Sequence, residues 1–112
     1  MRRAPLAGAL VLVVALPAVP LRAAQSDAAD CAAFWEGYAR YADISAYLDG
    51  AADARADAER FRAEADPDDA GRIHRDARDW VLRLDAMIRG NDAQSTEVFE
   101  RTAARCGRPS EN

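Results

Sequence analysis

Two cysteines, Cys31 and Cys106, stand near opposite ends of the main body of this chain, and there are no others. Whether they can be joined depends on the compartment the chain reaches and on how the intervening residues fold. The opening residues speak to the compartment. Arg2 and Arg3 precede an uninterrupted apolar run from Leu6 to Leu16, followed by Pro17, Pro20 and small residues. A charged start, a short apolar core and a small-residue exit predict a secretory signal peptide over residues 1–26, with Ala24 and Ser26 forming a small-x-small cleavage site. A membrane-spanning helix needs about 20 apolar residues, and this run is shorter, with no second apolar segment later. Residues 27–112 are therefore expected as one domain of the periplasm or the secreted space, not inserted in a membrane after cleavage. A lipid anchor on Cys31 is disfavoured, because Ala28, Ala29 and Asp30 do not supply the leucine-like −3 residue and the small −1 residue that such a site needs.

Composition narrows the chemistry. Alanine and arginine are heavily used and lysine is absent, a pattern of GC-rich bacterial codon bias. Without lysine there is no Schiff base, no lysine general base and no P-loop. Residues 27–112 hold 12 arginines against 19 acids, a formal charge of −7. Such a surface repels nucleic acid and anionic lipid, and the arginines alternate with acids rather than forming a basic stripe.

Those 86 or so residues suffice for one small domain. Helical periodicity recurs in four segments and sustained two-residue alternation in none, so the fold class expected is all-α. A first helix is predicted from Asp27 or Asp30 to Leu48, ending at Gly50 as a left-handed cap. Cys31, Phe34, Tyr38, Tyr41, Ser45 and Leu48 share its inward stripe, Trp35 and Ile44 flank that stripe, and Tyr47 points away. The second segment, 51–65, places Ala54, Ala58, Phe61 and Ala65 on one face. In DPDD, Asp66 is the expected N-cap of a third helix, with Pro67 first and two acids at the positive end of the dipole. The seam of that helix is Ala70, Ile73, Ala77, Trp80, Leu84 and Met87, with Val81 and Ile88 alongside and Gly90 closing it. Its outer face carries Arg72/Asp76, Arg75/Asp79, Asp79/Arg83 and Asp85/Arg89 at i,i+4 spacing, a polar face that Leu82 interrupts. Asn91 or Asp92 caps a fourth helix with Ser95, Phe99, Ala103 and Cys106 in line, and a frayed tail follows Gly107.

In an up-down four-helix bundle the first and last helices are antiparallel, so the start of one lies beside the end of the other. Cys31 is in the first turn of the first helix and Cys106 in the last turn of the fourth. An oxidising compartment, an even cysteine count and matched helix ends all predict a Cys31–Cys106 disulfide. Closing a loop of about 76 residues contributes on the order of 4–5 kcal/mol in the chain-entropy picture. That is substantial for a domain whose large apolar side chains are few.

Catalytic constellations are thin. A redox pair is usually C-x-x-C, and these cysteines are far apart. His74 is the one histidine, at the edge of the third helix's seam, and no nucleophile elbow exposes Ser45 or Ser95. DPDDAG departs from a calcium loop because Ala70 fills a ligand place, and one histidine with two oxidised cysteines leaves no transition-metal set. No cofactor, metal site or catalytic residue is expected. Acids are too numerous everywhere for a glycosidase pair to stand out.

The plan resembles that of small periplasmic helical proteins with a single disulfide, a set that includes acid-stress chaperones and immunity proteins against toxins from neighbouring cells. C-x-x-F at Cys31–Phe34 is similar to the opening of the first group, although the spacing to the second cysteine is longer here. The resemblance implies architecture. The residues themselves single out Trp35, Tyr47 and Leu82 as apolar side chains off the main seam, a candidate surface for an unidentified protein partner. The expected function is non-enzymatic binding. The alternatives are an acid-activated holdase, in which protonated carboxylates leave the arginines to repel one another, and, less expected, an enzyme.

Overall fold

A computed structural model describes residues 20–107. Residues 1–19 of the expected leader (1–26) and the expected tail beyond Gly107 lie outside the described residues, while residues 21–26 of that leader form the first turns of α1. Four helices follow in order: α1 (Leu21–Ile44), α2 (Ala51–Glu64), α3 (Ala70–Ile88) and α4 (Ala93–Arg105), with a 3₁₀ turn at Pro67–Asp69 leading into α3. The fold is an all-α four-helix bundle, and Cys31 and Cys106 are disulfide-bonded across α1 and α4.

Cross-helix pairs give the directions. Arg55 meets Asp43 and Arg62 meets Glu36, so α2 runs against α1. Arg72 meets Asp30 and Tyr41 meets Asp85, so α3 runs with α1. Cys31 with Cys106, and Phe34 against Phe99, set α4 antiparallel to α1. The topology is up-down-up-down. It is not evenly packed: α1 lies in the middle and packs mainly on α2 and α3, whereas α4 touches its neighbours much more sparingly.

Alanine makes the central position possible. Ala28, Ala29, Ala32 and Ala33 are all buried on successive faces of α1, letting neighbouring backbones approach. Gly37 marks the closest crossing, where an added Cβ would stand 2.4 Å from Cβ of Trp80 and 2.8 Å from the Ala77 carbonyl oxygen. Beside it the aromatic core closes. Phe34 is fully buried, with the rings of Trp35 and Trp80 each 4.8 Å away edge-on and Phe99 at 5.5 Å. Ile73 and Leu84 extend the core along α3, each buried aliphatic side chain stabilising by roughly 1.5–3 kcal/mol.

Several boundaries differ from expectation. α1 begins at Leu21 rather than Asp27, since Pro20 stops it upstream and no breaker separates Leu21 from Asp30. It ends at Ile44 rather than Leu48: Ser45 is extended, and its hydroxyl accepts the Tyr47 N–H at 3.0 Å, a local turn that competes with the helix. Ser45 and Leu48 thus leave the α1 stripe, and Gly50, at φ 92°, opens α2 instead of closing α1. Ala70 is exposed at the start of α3. The capping expectations for the later helices hold. Asp66 accepts from the Asp68 N–H at 2.9 Å, and Asp92 accepts from the Ser95 N–H at 2.8 Å, with Asn91 in the left-handed region.

Candidate functional site

The three candidate surface residues do not stay together. Trp35 is buried, 6% exposed, and its indole Nε1 donates to the Cys106 carbonyl oxygen at 2.7 Å. It belongs to the core beside the disulfide, because α1 is covered on more than one side and a residue flanking one seam faces another helix. Tyr47 and Leu82 are outward as expected, 67% and 71% exposed. Ile44, expected beside the seam, joins them at 75%, standing at the last position of α1 with its side chain on the open side of that turn while Tyr41 takes the buried one.

Ile44 links the other two. With Val81 and Leu82 it forms the apolar floor of a groove of about 550 Å³ between α1 and α3, rimmed by Arg40, Asp43 and Arg78. An adjoining depression shares Ile44 and continues past Tyr47 to Asp85 and Arg89. Neither α2 nor α4 contributes a lining residue to either. The groove walls are held in place from beneath: the Tyr41 hydroxyl donates to Asp85 at 3.0 Å, and Asp85 also receives Arg89.

Charges around the groove are unequally answered. Asp43 is paired with Arg55. Arg40 pairs with Glu36, which also receives Arg62, and Arg40 lies 2.9 Å from Nδ1 of His74. His74 is exposed, its ring engaged with an arginine rather than with a serine hydroxyl. Arg78 is exposed and makes no ion pair among the described residues.

A second, more polar cavity lies between α1, α3 and α4, walled by Asp30, Asp76, Asp79, Arg83 and Arg105 around Trp80. Its charges are largely consumed internally. Arg72 reaches Asp30 at 2.8 Å and Asp76 at 3.2 Å, Arg105 stands 3.9 Å from Asp30, and Arg83 lies over the Trp80 ring. The hydrogen bond to Asp30 raises the Arg72 pKa above its ordinary value, so that charge is fixed at any working pH. The expected Asp79/Arg83 pair is not formed, since Arg83 stacks on Trp80 instead. Among the described residues no cluster of three histidines, cysteines or carboxylates could hold a metal ion, and no helix is long and apolar enough to cross a membrane.

Comparison with known protein families, with curated proteins and with solved structures returns no match to this chain.

Proposed function

We propose that this chain is a non-enzymatic binding protein of the extracytoplasmic space, bacterial and periplasmic or secreted, that engages another protein through the groove floored by Ile44, Val81 and Leu82 and extended by Tyr47. The observation that carries the reading is the exposure of Ile44, Tyr47 and Leu82 on adjoining depressions of one edge, whereas the other large apolar side chain exposed to this degree among the described residues, Leu21, stands alone at the opposite end of α1. Apolar residues gathered at one place, rather than scattered singly, mark interaction surfaces. The disulfide is compatible with an oxidising compartment, and the leader-like start of the sequence supports export.

A photo-crosslinking amino acid placed at Leu82 tests this in the chain's native extract, with the same group at Glu59 on α2 as the control. A discrete adduct formed from position 82 and absent from position 59 is expected. Identical patterns from both positions, or no adduct from either, would defeat the proposal.

A further inference from the structure

The groove's shape and charge together say what kind of partner surface fits it, an inference that rests on the binding role proposed above. Its α3 wall runs from Arg78 to Arg89 when the adjoining depression is included, about 16 Å at 1.5 Å per residue. Two parallel helices form the trough, which is open along its length. Small ligands are held in cavities that bury most of their surface, and a trough of this kind leaves one side of any occupant uncovered. A peptide added as a strand would need a sheet edge, and the described residues contain no strand, while a polyproline-type segment would need an aromatic-lined groove and this floor is aliphatic. An amphipathic helix laying its i, i+3, i+4 and i+7 side chains on the apolar floor meets none of these obstacles.

Charge then selects among helices. The acidic rim residues are already neutralised, Asp43 by Arg55 and Asp85 by Arg89. The uncancelled charge is Arg78, with Arg40 opposite it sharing its one carboxylate, Glu36, with Arg62. A chain of net negative charge therefore presents a locally positive rim around its apolar groove. A second copy is a poor occupant, because it would bring another body of net negative charge and, about a two-fold axis, set Arg78 near its own counterpart. We infer that the groove receives an amphipathic α-helix of a different protein, about three turns long, whose apolar stripe is flanked by carboxylates.

The test uses the oxidised chain and a displayed library of helical peptides with a fixed apolar stripe and flanking positions varied among Glu, Gln and Lys. Selection on the wild-type chain is expected to enrich Glu at the flanks, with binding at least about tenfold tighter than for the Lys counterpart at low salt, a gap that narrows as salt screens it. Arg78→Glu should reverse the preference toward Lys, and Leu82→Asp should abolish binding of either. Both changed positions are exposed, so melting temperatures should stay near wild type, and circular dichroism checks this. Helices that bind through Leu82 with no preference for charge would overturn the inference while leaving the binding groove standing. Helices indifferent to Leu82→Asp, or the absence of any enriched helix, would overturn the inference outright, as would sedimentation showing a Leu82-dependent dimer of the chain itself.

Discussion

Helices α2 and α4 both flank α1, and they are held there by different means. α2 lies along α1 with extensive packing through Ala54 and Ala58 and two cross-helix ion pairs, Arg55 with Asp43 and Arg62 with Glu36. It carries no covalent tie. α4 touches α1 and α3 far less, and its attachment is concentrated in the disulfide, the Trp35 indole bond to the Cys106 carbonyl and the Phe99 ring against Phe34 and Tyr38. The covalent link therefore sits where noncovalent contact is thinnest. Distributed packing and a point attachment should fail differently, and that difference can be measured.

The largest effect is expected from Cys31→Ser with Cys106→Ser, a loss of about 2–5 kcal/mol. If α4 depends on its tie, hydrogen exchange in that variant should accelerate across Ala93–Arg105 well before it does in α2. Uniform acceleration of all four helices would break the comparison. Next comes Gly37→Ala, where the new methyl would collide with Trp80 and the Ala77 carbonyl at the α1–α3 crossing. Overpacking there should cost about 1–3 kcal/mol. Gly71→Ala, with only the Arg75 side chain within reach, should instead raise the melting temperature slightly. Trp35→Phe removes the donor to Cys106 and should cost about 1 kcal/mol, read by denaturant unfolding, with α4 again the first helix to exchange.

The smallest effect is on pH. Hydrogen bonds from Ser95 to its side chain hold Asp92 below its ordinary carboxylate value of 3.8. A depressed folded-state pKa contributes stability that is fully present above the unfolded value and is lost as pH falls through the folded one. The start of α4 should accordingly fray in acid, below the ordinary carboxylate range. Asp92→Asn keeps a capping oxygen but does not titrate, so it should flatten this part of the acid dependence in α4 amide exchange. An unchanged profile would remove Asp92 as its source.

What could be read from the sequence follows the same division. The disulfide was legible from the even cysteine count and the antiparallel helix directions, although Cys31 lies nearly three turns into α1 rather than in its first turn. Asp66 and Asp92 were legible because a cap is a local device. The inward seam of α3 was legible because α3 lays one stripe on its neighbours: Ile73, Ala77 and Leu84 are buried as the periodicity requires. α1 violates that assumption. Covered by three helices, it has no single seam, so Trp35 looked peripheral while lying in the core. Gly37 is not legible, since a glycine inside a helix reads as a weak point until the opposing Trp80 and Ala77 are known. The groove was half legible. Tyr47 and Leu82 stood out as misplaced apolar residues, but Ile44 joins them only because α1 stops short, through a Ser45 turn that no strong breaker announces.

The Cys31–Cys106 bond also determines how the body responds to pulling. Tension applied along the chain from outside the two cysteines enters at one sulfur and leaves at the other, bypassing the residues between them. The helices that form the trough would stay mechanically unloaded, and a stretched chain would keep that groove intact for as long as that one bond remained oxidised.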